Sequence, residues 1–117
     1  MSGLTFNVKT ALNSAEIKAD LEATTRQVQA PLDALVLQDS NFFCPIKTGA
    51  LQKSAITNSR IGSGELVWRT PYARRLYYEY EKPAHQANPN ACAKWFEAAK
   101  ARWLDKWVRF INERIER

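Results

Sequence analysis

The chain has 117 residues, enough for one domain with a modest core and little surplus for an enclosed substrate cavity. No apolar run approaches the ~20 residues of a membrane span, and residues 1–10 lack a charged stretch ahead of an apolar one, so no secretory signal is expected and the chain should stay in the cytoplasm where it is made. Its net charge of +5 is mildly basic and falls short of the dense Lys/Arg blocks of a nucleic-acid-binding arm.

Leu4, Phe6 and Val8 alternate with Thr5, Asn7 and Lys9, a period of two that predicts a strand. Asn13 and Glu16 then have the spacing of a reciprocal helix cap. Ile17, Leu21, Val28, Leu32, Leu35 and Val36 follow at helical spacing, which predicts a core-facing helix over residues 14–39. Pro31 removes a backbone donor inside it, so a kink or break is expected over residues 26–30.

Residues 41–50, with Pro45 and Gly49, read as a loop, and Thr48 is a candidate cap for a short turn through Gln52. Residues 54–60 and 65–70 flank Ile61, Gly62, Ser63 and Gly64, and two glycines in so short a link predict a β-hairpin. In its second arm Leu66 and Trp68 share one face, Val67 and Arg69 the other. Pro71 ends that strand and can open a helical turn. If residues 72–80 are helical, Tyr72, Leu76 and Tyr80 share a face, with Arg74, Arg75 and Tyr78 pointing elsewhere.

Residues 82–90 are a loop with Pro83 and Pro89. The last helix is expected to start at Asn88 or Asn90 and to run close to Arg117. Cys92, Phe96, Ala99, Trp103, Trp107 and Phe110 form its apolar stripe, Lys94, Ala98, Arg102, Asp105 and Arg109 its other side. The predicted fold class is α+β, two long helices packed on a small antiparallel β-sheet.

Catalytic chemistry finds little support, and no enzyme is expected. There is no glycine-rich phosphate loop. Cys44, Cys92 and the sole histidine, His85, are too few and too scattered for a zinc site, so no metal or cofactor is expected. A nucleophilic pair of His85 with either cysteine is open in principle, against a plain reading of a solvent-exposed loop histidine and two reduced thiols buried as small hydrophobes. The candidate site is instead a cluster of arginine and tyrosine beside Trp68: Arg69, Tyr72, Arg74, Arg75, Tyr77 and Tyr78. Such residues build protein–protein contacts. They also stack on single-stranded nucleic acid, and some of the tyrosines could be plain core; all three readings stay open on the residues alone.

Three runs resemble a known family. Cys44-Pro45-Ile46-Lys47-Thr48-Gly49-Ala50-Leu51-Gln52-Lys53-Ser54 resembles a Pro, Thr-Gly, Leu, Ser signature of small phage neck proteins. Trp68-Arg69-Thr70-Pro71-Tyr72-Ala73-Arg74-Arg75-Leu76-Tyr77-Tyr78 resembles their strand followed by Pro-Tyr-Ala-Arg and tyrosine. Ala93-Lys94-Trp95-Phe96-Glu97-Ala98-Ala99-Lys100 resembles the opening of their final helix. The order and spacing match over residues 42–107, with Pro45, Thr48, Gly49, Leu51, Pro71, Trp95 and Phe96 as the structural positions; Cys44 stands where a bulkier apolar residue is common. The family is the minor capsid protein group of tailed phages and prophages, and it is similar to the wider head–tail connection and tail-completion proteins.

The resemblance implies one connector-like domain over residues 1–117, a virion component without a catalytic centre. It implies ring assembly between the portal side and the tail tube, with neck, portal-side and tail-tube proteins as partners and DNA passing through the ring. The chain would then reside in the host cytoplasm during assembly and in the virion afterwards. Size and composition point to a monomer or weak oligomer in isolation, and no membrane partner is implied. The alternative is a small basic nucleic-acid-binding module using residues 68–80. The Thr48-Gly49 turn is expected where the chain bends back from helix to sheet, and Pro71 is expected to aim Tyr72.

Overall fold

The computed structural model describes residues 3–12, 26–46, 48–81, 83 and 86–115. The Asn13–Glu16 cap, Ile17, Leu21 and His85 lie outside the described residues.

Strand β1 (Leu4–Asn7) follows the alternation, with Leu4 buried and Thr5 exposed. Val8 does not extend it. The Asn7 side chain accepts the N–H of Thr10 and starts a single helical turn, α1 (Val8–Ala11), which buries Val8. Helix α2 (Arg26–Phe42) runs through Pro31 without interruption, so no break falls over residues 26–30. Pro31 lies exposed, while Leu32, Val36 and Leu37 are buried.

The predicted hairpin is not formed. Residues 50–58 are a helix, α3 (Ala50–Asn58), and of the hairpin only a single bridge, Arg60 to Glu65, remains. Helical spacing brings Leu51, Ser54 and Ala55 to one buried side and leaves Ile56 66% exposed. Strand β2 (Glu65–Trp68) pairs antiparallel with β1 instead, Leu4 opposite Trp68 and Phe6 opposite Leu66. The other edge of β2 is not left bare. Val67 N–H donates to Ser59 Oγ at 2.8 Å and Arg69 N–H to Ser54 Oγ at 3.0 Å. Two serine hydroxyls on and just after a helix thus take the place of a third strand and satisfy backbone donors.

Helix α4 (Ala73–Glu79) follows Pro71, and α5 (Trp95–Ile115) closes the chain. The start of α5 falls later than Asn88 or Asn90. Asn88 is buried and spends its amide on Phe42 O and Cys44 O at 2.9 and 2.8 Å. Lys94, at φ 51°, turns the chain, and its N–H donates to Tyr77 O at 2.7 Å before the helix begins.

The buried stripe of α5 is Trp95, Phe96, Ala99, Trp107 and Ile111. Trp103 and Phe110, expected in that stripe, are half-buried, and Cys92 precedes the helix. Phe6 stacks on Phe96 at 4.5 Å between ring centroids, joining sheet to helix, and α2 packs along α5. The architecture is α+β, with α2 and α5 the longest of five helices among the described residues and a two-stranded antiparallel sheet.

Candidate contact face and cleft

Helix α4 has two sides. Ala73 and Tyr77 are fully buried, and the Tyr77 ring sits 4.8 Å from Trp95 and 5.1 Å from Phe6. Tyr77 is therefore a core residue and drops out of the exposed cluster predicted for this region. Arg69, Tyr72, Arg74, Arg75 and Tyr78 are exposed, Tyr72 by 37% and Tyr78 by 57%. None of the three guanidiniums is ion-paired with a described residue. Exposed charges of this kind keep their hydration and can meet an anionic group.

Beside this face lies a cleft of about 440 Å³. Three segments line it: Pro45, Ile46, Thr48 and Leu51 before and within α3; Tyr72, Leu76 and Tyr80 along α4; and Pro83, Gln86 and Ala87 from the following loop. The helical face expected for Tyr72, Leu76 and Tyr80 is the one turned to the cleft. The first two sequence runs singled out above thus meet at one place, although they are separated by β2.

Gly49 makes the bend possible. It stands at φ 84° as the residue before α3, a conformation that disfavours any side chain, and the turn leads from α2 into α3, not into the sheet as expected. Thr48 Oγ1 accepts the Ala50 N–H at 3.3 Å, so Thr48 does serve the start of that helix. Leu51 and Pro45 are buried, and Pro71 is exposed just ahead of Tyr72. Trp95 and Phe96 belong to the core and support Tyr77 from below, Trp95 also meeting Trp68 at 6.2 Å.

Sequence reading missed the residues that hold the cleft together. Gln86 Oε1 accepts the Ile46 N–H at 2.7 Å, and Gln86 Nε2 donates to Tyr80 Oη at 2.8 Å. Gln52 Nε2 donates to Asn41 O and Cys44 O at 2.9 and 3.0 Å. These amides bridge segments far apart in the chain, and their spacing carries no periodic signal. The only hint was an amide-rich, proline-bounded loop.

Burial pushes the Cys44 thiol far above its ordinary range and also raises that of Cys92, which disfavours the thiolate a nucleophilic cysteine needs. Among the described residues no three His, Cys, Asp or Glu side chains gather as a metal site. No helix among them is long and apolar enough to cross a membrane. Asp33, a buried carboxylate on α2, is occupied by structure: its Oδ2 accepts the N–H groups of Gly62 and Gly64 at 2.8 Å each.

A family model described as "Minor capsid protein" matches residues 7–114. No curated protein and no solved structure matches the chain.

Proposed function

The chain belongs to the minor capsid protein family, a family of phage structural proteins, and from that premise we propose that it works at the joint between head and tail, assembling there into a ring with other neck proteins. One observation carries the reading. The two runs that resemble neck proteins, around Pro45–Leu51 and Pro71–Leu76, line a single cleft next to Arg69, Arg74 and Arg75, which have no ion-pair partner among the described residues. A chain that gathers exposed guanidiniums and exposed tyrosines beside a partly apolar cleft is equipped to hold another protein, since tyrosine and arginine supply rigid area and directed donors. Ring closure needs two different faces on each subunit. The α4 face supplies one; the exposed side of α5, with Arg102, Asp105 and Arg109, supplies the other.

The deciding experiment is complementation of a phage lacking this gene with Arg74→Glu combined with Arg75→Glu. Both side chains are exposed, so the fold should survive, while free heads and free tails accumulate. Normal plaque numbers would remove the pair from the interface. The exposed arginines among tyrosines also favour a second reading, binding of nucleic acid by stacking and charge. A DNA gel shift that weakens steeply with salt would support it, because phosphate contacts release counterions.

A further inference from the structure

Cys44 lies just after α2 and directly ahead of the cleft residue Pro45, Cys92 lies just ahead of α5, and the two segments are laced together. Cys92 N–H donates to Phe43 O at 3.0 Å, and Asn88 Nδ2 holds Phe42 O and Cys44 O on either side of it. Peptide geometry places the Cα of residue 44 about 2.8 Å from the Phe43 carbonyl oxygen, and the Cα of residue 92 about 1.5 Å from its own nitrogen. With a 3.0 Å hydrogen bond between them, the two Cα atoms can be no more than about 7.3 Å apart, an upper bound just above the roughly 4.4–6.8 Å spacing of disulfides. Both cysteines are free in this structure. Cys44 is fully buried, whereas Cys92 is half-buried and open to a small reagent. The Cys92 thiol also adds to the upward push on Cys44, as expected of neighbouring sulfurs.

We propose that Cys44 and Cys92 form a dithiol modification site that a small-molecule disulfide, such as oxidised glutathione, converts to an intramolecular cross-link. The Cys92 thiolate attacks one sulfur of the oxidant, giving a mixed disulfide and one released thiolate. The Cys44 sulfur then attacks the Cys92 sulfur, its proton passing to the departing second thiol, and because burial disfavours the Cys44 thiolate this second step is the slow one. Two electrons pass from the cysteines to the oxidant, and the two cysteine protons end on the released thiols. The bond closes a loop of about 50 residues, which constrains the unfolded chain strongly. It also fastens the joint that carries Pro45 and Ile46 to the loop that carries Gln86 and Ala87, fixing one side of the cleft. On the reading proposed above, the pair stays reduced during assembly in the cytoplasm and cross-links once the particle meets oxidising surroundings. The chemistry itself does not depend on that reading.

The test uses the purified, reduced full-length chain incubated with excess oxidised glutathione at a mildly alkaline pH of about 8, where more thiolate is present. Intact mass should fall by two hydrogens, peptide mapping should return one linked pair containing Cys44 and Cys92, and the product should run as a monomer without reductant. Its Tm should exceed that of the reduced chain by roughly 10 °C. Cys44→Ser should stop at a glutathione adduct on Cys92. If the parent also stops at that adduct, forms intermolecular dimers, or stays unmodified, the pair is not a disulfide site. Because the readout is covalent and made on the isolated chain, failure here leaves the head–tail reading untouched, and failure of complementation leaves the cross-link standing.

Discussion

The indole N–H of Trp107 donates to Asp39 Oδ2 at 2.7 Å, tying α5 to α2, and Lys106 Nζ approaches the same oxygen at 2.8 Å. A nearly buried carboxylate therefore has both a neutral and a charged donor, and the fully buried Trp107 ring sits where the two longest helices meet. Trp107→Ala should cost about 3–5 kcal/mol, since it empties a core site and removes one of the carboxylate's donors. Trp103 is half-buried, its ring covered by Phe42 and Phe43 and by the cations of Arg102 and Lys106. Trp103→Ala should cost only about 1–2 kcal/mol. Urea midpoints at constant slope measure both; equal losses would put Trp103 back at the centre of the stripe.

Asp33 gives a pH dependence with a defined sign. Burial is the main cause that lifts its pKa above 3.8, against the opposing hydrogen bonds from Gln29, Gly62 and Gly64 and the charge of Lys9. Between 3.8 and the raised value the folded state holds more proton than the unfolded one. The Asp33 contribution to stability therefore falls as pH rises through that window and is flat above it. Asp33→Asn should remove this slope and stay within about 1 kcal/mol of the parent at neutral pH. Asn keeps an oxygen for the two glycine N–H groups, and Gln29 can turn its amide to offer Oε1, which now has no partner. Asp33→Ala leaves the buried Gly64 N–H unpaired and should cost about 2–3 kcal/mol. Urea melts of the three proteins across acid to neutral pH decide it; an unchanged slope in the Asn variant would assign the effect to another group.

Gly49 isolates a backbone cost. A Cβ there would meet nothing nearer than Lys53 Cε at 3.9 Å, so space is not the constraint; φ 84° is. Gly49→Ala should cost about 1–2 kcal/mol, and Gly49→Asn clearly less, because asparagine tolerates the left-handed region. Thermal melts of the pair would show the order, and identical Tm values would mean the turn relaxes at no cost.

The proposed contact face also makes a claim about the isolated chain. Its exposed residues are Arg69, Arg74, Arg75, Tyr72 and Tyr78, a polar patch that an obligate apolar interface would not resemble. Light scattering across a concentration series should find a monomer or a weak oligomer that dissociates as salt rises. A tight ring insensitive to salt would refute this.

Local chemistry alone made several features legible. Strand β1 follows from the alternation of Leu4 and Phe6 with polar neighbours, the bend at Gly49 from a residue without a Cβ, and the α5 helix from a long stripe without proline or glycine. The strand assigned to residues 54–60 was wrong: the segment is largely helix α3, and Ser54 and Ser59 meet the β2 edge by their hydroxyls. Periodicity could not reveal that they pair with it by hydroxyl from a helix. A run with one large apolar residue, Ile56, fits either period, and packing decided for the helix by leaving Ile56 outside. The partner of β2 was equally hidden, because β1 lies some sixty residues earlier and strand pairing is settled by which faces the core can bury together. The same holds for Tyr77 and for the late start of α5. A tyrosine five positions after Tyr72 looks like any other in a mixed cluster until Trp95 and Phe6 close around it. Composition and spacing fixed which short segments could bend, alternate or coil, since those depend on neighbours in the chain. Which of them meet, which tyrosine faces inward, and which amides lace the cleft depended on contacts between distant segments, where burial and hydrogen-bond satisfaction over the whole domain choose among locally equivalent options.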